Sequence, residues 1–309
     1  MSENITAVSL FSGAGGMDVG FKNAGIKVLM ANEIDKMASK TFIENHPETK
    51  MIVDDINNIF PVLEEYRGVD IVFGGPPCQG FSVIGKMDPD DIRSQLIWSF
   101  LKAVEIIQPR AFVMENVKAL AAIAKWKDVR EEFIVKAKEM GYGCIPFIVN
   151  AAEYGTPQQR ERVFFIGIKG EEEFGDKFLE LLYKQKSKAP TIRELFKDLG
   201  PAGTERNPKT CSAKITYAER PVMRKIPYDC LMFNGIGRPI DPDGYSRTIT
   251  ASQGGNMTLI VDEEFLHNPN ANNWIQEYYE KLVSHEVSRS TGAVTKVNNK
   301  RDSKNSNFS

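Results

Sequence analysis

Within residues 1–170, short apolar runs rich in β-branched side chains alternate with longer stretches whose apolar positions recur at helical spacing. That alternation predicts an α/β fold: β-α units laid around a parallel sheet. The predicted strands are Ala7 to Phe11, Lys27 to Asn32, Asp70 to Phe73, Arg110 to Met114, Cys144 to Val149 and Arg162 to Ile168. Between them, helices are predicted at Met17 to Ala24, Lys36 to Asn45, Ser94 to Gln108 and Val129 to Met140. In the third helix, Leu96, Ile97, Phe100, Leu101, Val104 and Ile107 share one face, which assigns them to packing and not to a site.

Beyond Gly170 the pattern loosens. One amphipathic stretch, Phe174 to Lys184, is followed by a helix start at Thr191 and then by a Pro/Gly-rich region from Gly200 to Gly255. This predicts a second, smaller and irregular domain. A further helix is expected from Asn272 to Val283. The stretch 284–309 carries five Lys/Arg against two Asp/Glu and almost no aliphatic side chains, so it is expected to be disordered on its own. The expected divisions are therefore 1–170, 171–265, 266–283 and 284–309.

Composition narrows the class. With 309 residues, 42% hydrophobic, 26% charged and a net charge of -2, the chain has a soluble globular make-up that excludes bulk disorder and a collagen-like fibre. No apolar run approaches the roughly 18 residues of a membrane span, and Met1 to Phe11 carries Glu3 where a signal peptide starts basic. A cytoplasmic protein without membrane association is expected. The four cysteines, Cys78, Cys144, Cys211 and Cys230, include no C-x-x-C pair, and there are only three histidines, so neither a disulfide framework nor a metal site is expected. The balanced charge leaves nucleic acid open as a partner, since a basic groove can sit on an acidic body.

Chemistry gathers at the predicted strand ends. The first strand runs through Phe11-Ser12-Gly13-Ala14-Gly15-Gly16 into a helix, placing glycines where a backbone turns tightly against a ligand. A dinucleotide fingerprint would need glycine at position 18, which is Asp18. Taken alone, a structural turn accounts for these glycines nearly as well. Glu33 ends the second strand, where an acid can accept ribose hydroxyls, and Asp55-Ile56 mark the third β-α junction. Each acid singly reads as a solvated carboxylate; together they describe an adenosine pocket. The fourth strand ends in Gly74-Gly75-Pro76-Pro77-Cys78-Gln79-Gly80-Phe81-Ser82, a loop stiffened by prolines that presents one cysteine as a candidate nucleophile. Glu115 ends the next strand, in Met114-Glu115-Asn116-Val117. Arg160 and Arg162, within Gln158-Gln159-Arg160-Glu161-Arg162, would point to one side if extended.

In order and spacing, Phe11 to Gly16, Pro76-Pro77-Cys78-Gln79, Glu115-Asn116-Val117 and Gln158-x-Arg160-x-Arg162 resemble the DNA cytosine-5 methyltransferases. The resemblance is dense from about residue 5 to 170 and continues through Arg247-Thr248-Ile249-Thr250, which is similar to the end of that family's target-recognition domain. It implies a doubly wound, mostly parallel sheet of the S-adenosylmethionine-dependent methyltransferase type, with duplex DNA as partner. It further implies that the Cys78 thiolate adds to cytosine C6 and that Glu115 holds N3 and the exocyclic amine, with Arg160 and Arg162 fixing the O2 side. The cofactor would lie against Gly13, Gly15 and Gly16, with Phe11 and Ile34 flanking the adenine, Glu33 at the ribose and Asp55-Ile56 at the adenine edge. Pro77 would position the target base. The target atoms lie inside a stacked duplex, so the base must be flipped out; Gln79 and Ser82 would sit on the loop that closes over it.

After the recognition region the family continues with an Arg-x-Leu-Thr segment, an Arg-Leu-Gln-Gly-Phe-Pro stretch and a final Gly-Asn-Ala-Val motif. Here only Thr291-Gly292-Ala293-Val294 echoes the last of these. The expectation is that this is the larger, catalytic (alpha) chain of a two-subunit bacterial modification enzyme, with a second polypeptide supplying the remaining motifs. Competing readings are a tRNA methyltransferase of the same fold, a non-catalytic DNA-binding subunit, and an NAD-dependent oxidoreductase, the last disfavoured by Asp18 and the Pro-Pro-Cys loop.

Overall fold

The computed structural model describes residues 5–77, 95–200, 205–206, 222–223, 231–232, 238–249, 259–261, 266–268 and 270. Cys78, the stretch to Ser94, the expected helix from Asn272 to Val283 and the tail at 284–309 lie outside the described residues. In chain order the elements are β1 (Thr6–Leu10), α1 (Gly16–Asn23), β2 (Lys27–Glu33), α2 (Lys36–Asn45), β3 (Lys50–Val53), α3 (Phe60–Leu63), β4 (Ile71–Gly74), α4 (Leu96–Ile107), β5 (Ala111–Val117), α5 (Lys118–Ala122), α6 (Lys127–Glu139), β6 (Tyr142–Asn150), β7 (Gln158–Gln159) and β8 (Glu161–Lys169). They continue with α7 (Gly175–Lys184), α8 (Ile192–Phe196), β9 (Val222–Met223), β10 (Leu231–Met232), β11 (Arg238–Ile240), β12 (Ser246–Arg247) and β13 (Leu259–Val261).

Two compact units emerge: residues 1–150 with 161–185, and residues 151–160 with 186–309. The first is built on a seven-stranded sheet of order β3-β2-β1-β4-β5-β8-β6. From β3 to β5 every pairing is parallel, as the intervening helices predict. β8 alone runs against both its neighbours. The reason is chain length: a parallel return needs a crossover of about a dozen residues or more, and the 151–160 connection contains no long helix to make one. The strand order reverses at β1, because β2 and β3 lie to one side and β4 to the other. Such a reversal opens a crevice at the carboxyl ends of the strands.

Both faces of the sheet are covered. On one, Val8, Leu10, Val72, Phe112, Met114 and Phe165 pack with Phe100, Val104 and Ile107 of α4 and Phe133 of α6. Phe112 meets Phe100, Phe133 and Tyr142 edge-on, with centroids 5.4 to 6.2 Å apart, the geometry that the ring quadrupole favours. On the other face Ala7, Val28 and Phe73 pack against Met17 and Phe21 of α1. The Phe21 and Phe73 rings stack at 3.8 Å. A third cluster, Phe147, Ile166 and Phe174, receives Phe178 and Leu179 of α7. At the amino edge, Asp70 accepts the N–H of Thr6 at 2.8 Å and Arg110 Nη1 at 2.9 Å, which ties three segments and holds its carboxyl below the usual range.

The second unit combines a local helix cap with bonds between segments distant in the chain. Thr191 caps α8 with a capping box: its hydroxyl accepts Glu194 N–H at 3.2 Å, and Glu194 Oε2 accepts Thr191 N–H at 2.7 Å. Arg193 pairs with Asp243 at 2.7 Å and also donates to the Leu266 carbonyl. β7 and β12 form a parallel pair, Gln158 with Ser246 and Gln159 with Arg247.

Two glycine substitutions separate packing from backbone freedom. A Cβ at Gly167 would lie 2.0 Å from the Phe112 ring, so Gly167→Ala is expected to lose roughly 1–3 kcal/mol through overpacking. At Gly20, inside α1, nothing lies within 4 Å of a Cβ, so Gly20→Ala is expected to gain about 0.5–1 kcal/mol from helix propensity. Urea unfolding midpoints of the two variants should move in opposite directions.

Candidate active site

β1 ends in a sharp turn whose shape is set by backbone angles that few residues adopt. Phe11 has φ 53°, and Gly13 and Gly15 have φ 57° and 88°. A bulky residue in the left-handed region is strained, and such strain gathers at functional sites. The turn is fastened to β2. Ser12 N–H donates to Asn32 O at 3.0 Å, and Gly13 N–H donates to Glu33 Oε2 at 2.8 Å. Glu33 Oε1 accepts the N–H groups of Ile34 and Asp35 at 2.9 and 2.8 Å. Three of about four acceptor positions on this carboxylate are thereby taken. Asn32, buried at 2% exposure, donates through Nδ2 to Ile52 O and Asp54 O at 3.1 and 2.9 Å, so it ties β2 to the end of β3.

Beyond β3, Asp55 caps a short 3-10 turn starting at Ile56: its Oδ1 accepts Asn57 N–H at 2.8 Å and Asn57 Nδ2 at 2.9 Å. Asp54 beside it accepts Asn58 Nδ2 and Asp55 N–H, which hold its carboxyl below the usual range, the Asn58 bond contributing most. Between these turns lies a cavity of about 110 Å³. It joins six residues that the sequence singled out: Phe11, Glu33, Ile34, Asp55, Ile56 and Pro77. Four more line it that the sequence did not single out for a site: Asn32, Asp54, Gly75 and Leu96. Leu96 packs against the core as its helical face implies, and it also reaches the cavity. The helix begins at Leu96, so this residue sits at its open end and faces the cavity, while Ile97, Phe100, Leu101, Val104 and Ile107 go to the core. Gly13, Gly15 and Gly16 shape the turn beside the cavity without lining it. Ile34, at 64% exposure, offers an uncovered apolar side chain at the rim.

Glu115 and Arg162 come together one strand further on. Glu115 faces Phe164 across the antiparallel β5–β8 pair, and Val117 faces Arg162. Glu115 and Arg162 are therefore diagonal neighbours on one face, and Arg162 Nε meets Glu115 Oε1 at 2.8 Å with both side chains about one-fifth exposed. Glu115 Oε2 lies 3.3 Å from the point where a Cβ of Gly75 would stand, so the bare glycine leaves room for the carboxylate beside the Pro-Pro loop. Asn116, 1% exposed, turns to the opposite face and donates to Pro76 O at 3.3 Å, which anchors the loop leading to Cys78. Arg160 belongs to the second unit, where its carbonyl accepts Ala151 N–H at 3.0 Å. There Thr248 Oγ1 also donates to Gln159 O at 2.8 Å, joining two motifs far apart in sequence.

The bonds from Glu33 set the turn, so Glu33→Ala is expected to cost about 1–2 kcal/mol of stability. Glu33→Gln, which keeps one acceptor oxygen, should lose less. Urea unfolding of both variants measures the difference.

A family model described as C-5 cytosine-specific DNA methylase matches residues 5–302. The type II methyltransferase M.DdeI of Desulfomicrobium norvegicum is 36% identical over 197 residues, covering 62% of this chain and 48% of that protein. M.AquIA of Picosynechococcus sp. is 41% identical over 174 residues, covering 52% of this chain and 70% of that protein. The chain thus spans about half the length of M.DdeI. Among solved structures, a DNMT2 variant of Spodoptera frugiperda superposes with a TM-score of 0.61 at 18% identity, covering 94% of this chain and 82% of that one. The Dnmt2 methyltransferase of S. pombe gives 0.58 at 17% identity, covering 91% and 82%. These distant likenesses bear on the fold and agree with the mostly parallel seven-stranded sheet. With its profile matched over nearly its whole length, the chain belongs to the C-5 cytosine-specific DNA methylase family.

Proposed function

We propose that this chain transfers a methyl group from S-adenosylmethionine to C5 of a cytosine in a specific duplex DNA sequence, as the catalytic chain of a type II restriction-modification methyltransferase. The observation that carries this reading is the cavity at the strand-order reversal, which joins the Gly-rich turn, the acid-bearing ends of β2 and β3 and the Pro-Pro loop. Its residues fit an adenosine. At about 110 Å³ it is smaller than the roughly 300 Å³ or more that encloses a drug-sized ligand, so it takes a flat ring and leaves the rest of the cofactor over the turn. Phe11 and Ile34 supply apolar surface for the ring. Asp55 supplies an acceptor at its edge, and Glu33 retains an acceptor position for a ribose hydroxyl. When bound, S-adenosylmethionine supplies an electrophilic methyl group.

The chain's own residues prepare the base. Cytosine C5 is a poor nucleophile. Cys78, directly after the loop that Asn116 anchors, adds as thiolate to C6, which turns C5 into an enamine-like carbon. Glu115 holds N3 and the exocyclic amine, supplying the proton or hydrogen bond that stabilises charge pushed into the ring. Arg162, through its contact with Glu115, fixes that carboxylate's orientation, and Arg160 and Arg162 serve the O2 side. Once C5 carries the methyl group, its proton leaves and Cys78 is expelled. All of this requires a flipped base. The stretch 171–265 is assigned to target recognition and 266–283 to docking of a second polypeptide that carries the Arg-x-Leu-Thr and Gly-Asn-Ala-Val motifs.

Cys78→Ser is expected to reduce methyl transfer on the order of 1000-fold with little change in DNA affinity, because an alcohol is far less ionised than a thiol near neutral pH. DNA containing 5-fluorocytosine should trap the unsubstituted chain covalently, since fluorine blocks the final elimination. Full activity of the serine variant would sink the mechanism. Glu115→Gln should lower kcat on the order of 100-fold while leaving DNA binding within a fewfold; a loss confined to affinity would assign Glu115 to positioning. Tritiated S-adenosylmethionine incorporation, with and without a co-expressed polypeptide bearing the missing motifs, tests the two-chain arrangement. The pair should methylate and co-elute on sizing, and robust specific methylation by this chain as a monomer would refute it.

A further inference from the structure

Under the Gly-rich turn, three polar side chains from three different elements are sealed from solvent. Ser9 on β1, Asp18 in the first turn of α1 and His46 just past α2 are 1%, 1% and 3% exposed. Ser9 Oγ, both Asp18 carboxylate oxygens and His46 Nε2 make no hydrogen bond of acceptable geometry among the described residues. Buried polar groups are paired in the great majority of cases, so unpaired ones gathered at one place call for a functional explanation. The placement supplies one. A Cβ at Gly15 would lie 2.5 Å from His46 Nε2 and 3.0 Å from the Phe42 ring, so the imidazole packs flush against the α-carbon of the turn. Phe42 holds that imidazole from the side, with ring centroids 4.6 Å apart. Asp18 stands three residues beyond Gly15, within the first helical turn, where the helix dipole favours an anion.

The groups facing one another are few. From α1 come Asp18 and Lys22, from β1 the Ser9 hydroxyl, and from the segment after α2 His46 and Glu48. Lys22 pairs with Glu48 at 2.6 Å on the surface. Burial pushes the Asp18 carboxyl up, and the Ser9 hydroxyl and the His46 ring pull it partly back.

We propose that Asp18 and His46 are positioning residues for the cofactor, buried beneath the Gly13–Gly16 turn and so holding it in the shape that binds S-adenosylmethionine. This rests on reading the turn as part of the cofactor site. Protonation of Asp18 removes its attraction for the His46 ring and loosens the support beneath Gly15, so cofactor affinity falls as pH drops.

Two measurements on the full chain test the pair. The first is the carboxyl carbon-13 titration of Asp18, assigned by difference from Asp18→Asn. It should sit above the ordinary value of 3.8 and move further up in His46→Gln; an Asp18 titration indifferent to His46→Gln overturns the pair whatever the turn binds. The second is calorimetric affinity for S-adenosylhomocysteine between about pH 7.5 and about pH 5. The unsubstituted chain should weaken severalfold toward acid. The uncharged Asp18→Asn/His46→Gln variant should bind severalfold more weakly than it at neutral pH and lose the acid dependence. If the double variant keeps the acid dependence, the positioning role is wrong while the cofactor reading stands. Failure of the unsubstituted chain to bind at any pH, both alone and with the co-expressed polypeptide, with its Asp18 titration as expected, overturns the cofactor reading and with it the positioning role.

Discussion

Parallel strands that all finish at one edge leave the same problem at each finish: backbone groups just past the sheet have lost their ladder partners and must find others. This chain solves it by cross-bonding neighbouring strand ends. Ser12 N–H reaches Asn32 O, Gly13 N–H reaches the Glu33 carboxylate, and the Asn32 amide reaches across to Ile52 O and Asp54 O. Each bond uses a side chain or turn that also borders the cavity. The stitching that completes the sheet therefore shapes the cavity, which ties the energetics of the fold to the cavity's geometry.

The reversed direction of β8 matters for the same edge. Were β8 parallel to β5, its first residues would lie at the amino edge, a full strand length from the cavity side. Running antiparallel, β8 starts beside the end of β5, with Arg162 opposite Val117. That brings a guanidinium to the carboxyl edge and onto Glu115 at 2.8 Å. A short connection between β6 and β8 is thus a topological condition for the ion pair. It also sends residues 151–160 into the second unit, where Gln158 and Gln159 pair with Ser246 and Arg247.

Much of this was legible in the sequence, for reasons that differ by element. Helix α2 matches its predicted bounds because Asp35 provides an N-cap, accepting the N–H groups of Met37 and Ala38, and the capping box at Thr191 is local in the same way. Six of the site residues expected from motif positions line one cavity. What escaped was set by contacts distant in the chain. β3 is a short edge strand, Lys50–Val53, with too few positions for periodicity to act on. Asn32 looks like any polar strand residue until its amide is seen to span two strand ends. The β7–β12 pairing joins segments nearly ninety residues apart, by register alone. Periodicity puts Leu96 on the packing face, where it lies, but does not show that its place at the start of α4 also brings it to the cavity.

Asp18 shows how one departure from a pattern can carry structural meaning. In dinucleotide-binding turns the third glycine permits close packing of helix on strand. Here that position holds a carboxylate, and the residue on β1 buried with it is a serine, Ser9. The helix–strand contact is apolar further along, through Met17 and Phe21 against Ala7 and Phe73, so α1 is secured without help from the polar cluster. Of the three buried polar side chains, His46 packs directly against the turn at Gly15. A sequence that departs from the nucleotide fingerprint at this position thus keeps close helix–strand packing through Phe21 and Phe73 and places a buried carboxyl in the first turn of α1.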